Sequence, residues 1–324
     1  MNILHQIREL GEIGGPVCLA IGVFDGVHRG HQALIRAVQD AAAKRSAIPV
    51  VVTFEPHPLK VLRPDNAPSI LTSLDHKLLL LERLGAGHVL VIHFDETFSR
   101  TQPADFILGL VNACKPLRLI GVGFRWEFGH RRAGNVSLIE QLGADNDFDV
   151  LELPPVTEDH DHISSTRIRQ AITDGNLEQA ARLLGRPFSV FGTVVHGDHL
   201  GKKIGFATAN LDVEGEKLPP DGVYAGICDV DGRAYPAAVN IGSRPTVSGS
   251  GRRVEAHIIG LESELYGRRI EVPLLKFLRR ETRFENIEAL RDQIARDVEA
   301  TKTIARTAPA GDHGRAGADG GSGG

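Results

Sequence analysis

The sequence predicts an α/β domain built on a parallel sheet, followed by a smaller antiparallel β-barrel. Three observations lead there. Apolar, β-branched runs alternate with helical stretches between residues 17 and 153, the pattern of a parallel sheet covered on both faces. After Pro187 the runs are strand-like only, separated by turn signals such as Asp231-Gly232 and Tyr266-Gly267. Two groups of phosphate-handling residues also lie more than 150 residues apart, one in each part.

The elements follow in order. Residues 17–24 (VCLAIGVF) read as a buried strand broken by Gly26, and a helix follows from about Gly30 with Leu34, Ile35, Val38 and Ala42 on one face. Further strands are predicted at 48–54, 88–94, 117–123 and 148–153, with helices at 74–84 and 103–112. Such sheets bind ligands beyond the carboxyl ends of their strands. Two short helices, 164–173 and 176–184, the second capped by Asn176, lead to the barrel. Its strands are predicted at 188–195, 223–230, 234–241, 253–260 and 268–275, closed by a helix at about 284–300. The expected organisation is therefore a first domain over 1–186, a barrel with its helix over 187–300, and a disordered Gly- and Ala-rich tail over 301–324.

Bulk properties narrow the function classes. A chain of 324 residues with 42% apolar content can build two ordinary cores. A net charge of −4, with basic residues dispersed, gives no drive toward nucleic acid. The barrel also lacks an interleaved run of aromatic and basic residues. Cys18, Cys114 and Cys228 have no CxxC spacing and read as buried reduced thiols. The N-terminus is no signal peptide, and no apolar run approaches the ~20 residues of a membrane span. A soluble cytoplasmic protein with small-molecule substrates is expected, with the oligomeric state open and a monomer allowed.

The first group is Gly22-Val-Phe24-Asp-Gly-Val-His28-Arg-Gly30-His31, answered by Ile163-Ser164-Ser-Thr166-Arg167. His28 and His31 stand where a strand turns into a helix, beside unpaired amides and the positive end of the helix dipole, which suits a triphosphate. Gly22, Gly26 and Gly30 allow close backbone approach. The histidines can donate to oxygens that gain charge when an α-phosphorus is attacked, so no protein nucleophile is required. The same pair could ligate zinc, though no third ligand is evident. Ser164, Thr166 and Arg167 add donors and a fixed charge, although Ser-Ser-Thr alone equally caps a helix. Phe54-Glu-Pro-His57-Pro58 ends a strand as a rigid turn in which Phe54 can meet a planar ligand and His57 a phosphate, or it is simply a turn. The run from Gly121 to Gly134, with Arg125 and Trp126, suits a flat anionic ligand or closes a hydrophobic edge.

The second group is Gly205-Phe-Ala-Thr208-Ala-Asn210, then Val239 to Thr246, then Val254-Glu255-Ala-His257. Thr208 and Asn210 alternate along an extended segment, so they share a face and can ligate Mg²⁺ carried by ATP. Lys202 and Lys203, flanked by Gly201 and Gly205, form a loop able to cover phosphates. Glu255 is a candidate base for an alcohol, or an ordinary surface glutamate. The absence of GxxxxGK[ST] excludes a P-loop kinase.

Ten stretches in order, GVFDGVHRGH, TFEPHP, FGHRRAG, ISSTRIR, GFATANL, DGVYAG, VNIGSRPT, VEAHI, LYGRRI and LRRETRF, resemble the bacterial bifunctional riboflavin kinase/FAD synthetase (FMN adenylyltransferase) family to about residue 300. The resemblance implies a nucleotidylyltransferase domain that makes FAD and pyrophosphate from FMN and ATP. It implies a riboflavin kinase barrel that makes FMN and ADP from riboflavin and ATP, both with a divalent metal, usually Mg²⁺. By resemblance, His28 and His31 contact phosphate, and Gly22, Phe24, Gly30, Ser164, Thr166 and Arg167 belong to nucleotide-binding motifs. Phe54, His57, Pro58 and Arg125 fall on the flavin side. Thr208 and Asn210 hold metal and ATP phosphate, and Glu255 is the kinase base. Two departures stand out. Ala207 replaces the usual proline, which removes a backbone restraint before Thr208. Arg125 stands where Asp or Asn is common.

Overall fold

The computed structural model describes residues 1–196, 206–246 and 249–307, with side chains described outside 243–251. It falls into two compact units, Met1–Ser165 and Thr166–Gly324. The loop with Gly201, Lys202, Lys203 and Gly205 and the tail beyond Thr307 lie outside the described residues.

In the first unit, β1 (Asn2–Leu4), β2 (Val17–Ile21), β3 (Ile48–Glu55), β4 (His88–His93), β5 (Leu117–Gly123) and β6 (Asp149–Leu153) make one parallel sheet. The order is β1-β4-β3-β2-β5-β6. Alternation along β2 splits its side chains between two cores. Cys18 and Ala20 pack with Leu34, Ile35 and Val38 of α1 (Arg29–Lys44). Val17, Leu19 and Ile21 share a core with residues of two helices that follow later in the chain. The order of connection reverses beside β2, which makes the β2–α1 loop the topological switch point where such sheets bind ligands.

After β3 come α2 (Pro58–Leu62), α3 (Leu74–Arg83), α4 (Glu96–Ser99), α5 (Pro103–Ala113) and α6 (Val136–Asn146). Phe106, Ile107 and Leu110 of α5 and Ile139 of α6 complete the core under Val17, Leu19 and Ile21. The sequence reading did not include β1, α2, α4, α6 or the ribbon of β7 (Thr157–Glu158) and β8 (Asp161–His162). The first is three residues long, and α6 shows only weak amphipathicity.

The second unit begins with α7 (Ser165–Thr173, its first residue belonging to the first unit) and α8 (Leu177–Leu184). The Asn176 side chain accepts from Gln179 N–H and caps α8 as predicted. Six antiparallel strands then close a barrel: β9 (Ser189–Val195), β10 (Ala209–Asp212), β11 (Gly222–Val230), β12 (Arg233–Thr246), β13 (Gly249–Ile258) and β14 (Arg269–Arg279). The circular order is β10-β13-β12-β11-β14-β9. Val254, Ala256 and Ile258 point inward and are buried, while Glu255 and His257 alternate onto the outer face.

The closing helix α9 (Ile287–Thr307) packs on β11, β12 and β14. It runs past the predicted end near 300. Thr301 is fully buried, and its hydroxyl donates to the Asp297 carbonyl at 2.8 Å. Composition alone hid this, because only tertiary contact buries that turn. Arg279 on β14 grips the Asp297 carboxylate through Nε and Nη2, the shortest contact being 2.8 Å. All three cysteines are free and buried. Burial pushes Cys114 and Cys228 up to about 12, so both remain protonated thiols. Among the described residues, no helix is long and apolar enough to cross a membrane.

Candidate active sites

The first site is the loop between β2 and α1. Its backbone is unusual: Phe24 (φ 52°), Gly26 (φ 81°) and Val27 (φ 41°) all occupy the positive-φ region. For Phe and Val this conformation is costly and persists only when surroundings impose it. They do so here. The buried Asp25 carboxylate accepts the N–H groups of Leu71 and Thr72 at 2.8 and 3.2 Å, and Gly26 N–H donates to Thr72 Oγ1 at 3.1 Å. The Thr53 hydroxyl donates to the Val23 carbonyl at 3.0 Å.

His28 caps α1. Its Nδ1 accepts His31 N–H at 3.3 Å, so in the neutral ring the proton sits on Nε2, the nitrogen able to donate to a phosphate oxygen. The rings of His28 and His31 stack at 3.5 Å, and Phe24 meets His31 edge-on at 5.2 Å. A Cβ on Gly22 would lie 3.1 Å from the Phe24 ring, and one on Gly30 3.1 Å from the His28 ring. Burial, then the neighbouring charges of His28 and Lys77, hold His31 well below its ordinary value of 6.5. His31 Nδ1 is buried without a hydrogen-bond partner among the described residues.

Two further residues of the first unit reach this loop and the start of α1. Ser165 Oγ donates to the Asp25 carbonyl at 2.9 Å, and Arg29 pairs with Glu158 on β7, just before the Ser-Ser-Thr motif. Ser164 is half-buried. Thr166 and Arg167 follow in the first turn of α7, exposed and half-buried respectively. At the end of β3, His57 caps α2 by accepting Leu59 N–H on Nδ1 at 3.1 Å, with Pro58 as the first helical residue. Phe54 is only 7% exposed and packs in an aromatic cluster with Phe94, Phe98 and Phe106 at 6.1–6.4 Å. It therefore backs this strand end rather than presenting an open ring. Arg125, beyond β5, has φ 51°, and its backbone N–H donates to Glu152 at 2.8 Å. Its guanidinium lies 4.9 Å over the exposed Phe124 ring.

One residue at the first site was missed from sequence. Lys77 on α3 is 2% exposed, and its ammonium donates to Thr53 Oγ1 at 3.4 Å. A lysine in a leucine-rich helix gives no signal of this, because its burial depends on groups from β3 and the β2–α1 loop.

The second site is a row across three strands on the outer face of the barrel. Asn210 on β10 stands opposite Glu255 on β13, and Glu255 opposite Asn240 on β12. Residues directly opposite share a face and lie within side-chain reach. All three are half-buried. Asn240 Nδ2 donates to Glu281 at 3.1 Å. Thr208 precedes β10 by one residue. The segment before it is held by His257, whose Nδ1 lies 2.7 Å from the Ala207 carbonyl and whose ring meets Phe206 edge-on. Asn240, Glu281 and His257 were not assigned roles from sequence, because their place in the row depends on register.

Among the described residues, no three His, Cys, Asp or Glu converge as a metal cage. An amide and a hydroxyl oxygen beside a carboxylate fit a hard cation held mainly by substrate phosphates, the habit of Mg²⁺.

Comparison with known proteins matches both parts of the chain. The family model described as FAD synthetase matches residues 12–167, and that described as riboflavin kinase matches 184–305. The bifunctional riboflavin kinase/FMN adenylyltransferase of Escherichia coli K12 is 40% identical over 299 residues, covering 92% of this chain and 96% of the relative. The protein of the same name from Pseudomonas fluorescens is 35% identical, covering 93% and 96%. A solved structure titled as a macrolide-efflux protein from Streptococcus pneumoniae superposes with a TM-score of 0.79 at 32% identity, over 93% of this chain and 99% of that one. With both family models matched in sequence order and full-length relatives at this identity, the chain belongs to the bifunctional riboflavin kinase/FMN adenylyltransferase family.

Proposed function

We propose that this chain phosphorylates riboflavin with ATP to give FMN and ADP, then transfers AMP from a second ATP to FMN, giving FAD and pyrophosphate. The observation that supports this reading is that one chain matches both family models in order. The β2–α1 loop gathers His28, His31 and Ser165, and the barrel register aligns Asn210 with Glu255.

In the barrel, Glu255 takes the proton of the ribityl 5′-hydroxyl as that oxygen attacks the γ-phosphorus, and ADP leaves. Thr208 and Asn210 would hold Mg²⁺ with the ATP phosphates, and the ion, when bound, neutralises their charge. In the first unit, an FMN phosphate oxygen attacks the α-phosphorus of ATP, and pyrophosphate leaves. His28 and His31 donate to the oxygens that gain charge, and the amides of the α1 N-terminus hold the polyphosphate. Ser164 adds a donor there, and the family resemblance extends that motif to Thr166 and Arg167. Gly22, Phe24 and Gly30 shape the nucleotide's approach. His57, Pro58 and Arg125 form the flavin side, with Phe54 backing it. The division of labour assigns residues 1–186 to adenylyl transfer and 187–300 to phosphorylation. The protein works in the cytoplasm on small molecules, without nucleic-acid or membrane partners.

The test is product analysis after incubation with riboflavin, ATP and Mg²⁺, beside a matched reaction starting from FMN. FAD from both mixtures supports the reading. FAD from FMN alone would remove the kinase assignment and direct attention to Ala207; no product from either would overturn both assignments.

A further inference from the structure

A buried ammonium is rare unless other groups balance it. Lys77 is buried on α3, and the negative charges of Glu55 at the end of β3 and Asp25 in the β2–α1 loop favour its ammonium form. Its ammonium donates to Thr53 Oγ1, and the Thr53 hydroxyl donates in turn to the Val23 carbonyl of the loop. Its charge also reaches His31 on α1, which stacks on His28. Lys77 is thus balanced by two carboxylates, while His31 experiences two groups able to carry positive charge, His28 and Lys77. Arg29, the next cation along α1, is paired with Glu158.

We propose that Lys77 is a positioning residue for adenylyl transfer: it fixes the β2–α1 loop through Thr53 and sets the charge that His31 experiences. The proposal rests on His31 belonging to the adenylyl-transfer site. Before polyphosphate binds, burial and the two neighbouring cationic groups disfavour a proton on His31. Polyphosphate brings negative charge into this space and reverses the balance. The site therefore holds its imidazole neutral when empty and becomes a stronger donor when nucleotide arrives. Burial lowers the pKa of Lys77 itself, Glu55 and Asp25 oppose that, and its ammonium is the charge that this change works against.

The experiment compares wild type with Lys77→Met, a side chain of similar length without charge. The pH–rate profile of FAD formation from FMN is measured, with a circular-dichroism melt as the control for folding of the first unit and FMN formation from riboflavin as the control for the barrel. In the variant, the limb carried by His31 moves to higher pH, because a repelling charge is gone, while FMN formation stays at the wild-type rate. A limb at the wild-type pH, with or without loss of rate, overturns the proposal. Should Lys77→Met make no FAD, proton NMR titration of the His31 ring in the same protein decides. An upward shift supports the coupling, and an unmoved titration overturns it. His31→Ala is assayed alongside. Undiminished FAD formation there would remove His31 from the site, a failure of the site assignment distinct from any outcome of the NMR comparison.

Discussion

Gly26→Ala tests whether the β2–α1 loop positions the reaction or merely connects two elements. Gly26 has φ 81°, and a Cβ built there lies 2.7 Å from Leu71 Cδ1 and 3.1 Å from Leu71 Cβ. Left-handed backbone costs an L-residue ~1–2 kcal/mol. Forcing one carbon into a packed contact adds ~1–3 kcal/mol. Leu71 cannot retreat freely, because its N–H is held by Asp25, while Thr72 holds the Gly26 N–H. The strain is therefore relieved by displacing the loop that carries His28. A misplacement of about 1 Å is enough to cost on the order of 10²-fold in rate. FAD formation from FMN should fall by ~10–100-fold on that basis, with FMN formation from riboflavin unchanged. Separate chromatographic assays of the two half-reactions read this directly. FAD formation at the wild-type rate would refute the claim that loop geometry sets the chemistry.

Further outcomes follow from other parts of the structure. His31→Ala removes a donor at the developing charge and should cut FAD formation by about 10²–10³-fold. Asn210→Ala should instead abolish most riboflavin phosphorylation while leaving adenylylation of supplied FMN; parallel loss of both activities in either variant would contradict two separate sites. Asp297→Ala leaves Arg279, whose side chain is 22% exposed, without its carboxylate. Breaking a buried pair costs ~3–5 kcal/mol, and partial exposure reduces that here to about 2–3 kcal/mol. A calorimetric melt should show the barrel transition lowered by roughly 4–12 °C, whereas an unshifted transition would mean that α9 is held by its apolar contacts alone. His31 should also give stability a pH signature. Its folded-state pKa is depressed below 6.5, so the unfolded chain binds more protons as the pH falls through that value. The contribution is full above pH 6.5 and is lost below it as the folded-state pKa is approached. Urea unfolding at two pH values on either side should show a shallower acid loss for His31→Gln than for wild type; equal losses would show that the ring protonates freely in the fold.

Much of this architecture was legible before any coordinates. The strands of the first unit are covered on both faces, so they read as unbroken apolar runs such as VCLAI and VLVI. The Leu34, Ile35, Val38 and Ala42 spacing marked the buried face of α1, and Asn176 marked the start of α8. His28 and His31 were visible because the chemistry is local: a cap and a first-turn residue three positions apart must share one helix end. Short β1 and the weakly amphipathic α6 carried no comparable signal.

The sequence by itself determined the two-part architecture, the antiparallel barrel and the residue types at each site, because periodicity and local spacing encode all of these. Tertiary structure alone decided what surrounds them. Phe54 became part of an aromatic cluster because Phe94, Phe98 and Phe106 come from elsewhere in the chain. Lys77 entered the first site because Thr53 meets its ammonium there and the charges of Glu55 and Asp25 favour it. The alignment of Asn210, Glu255 and Asn240 followed from strand register, and a slip of one residue would have turned Glu255 into the core. Burial, register and charge balance are properties of segments brought together from distant parts of the chain, and no local pattern contains them.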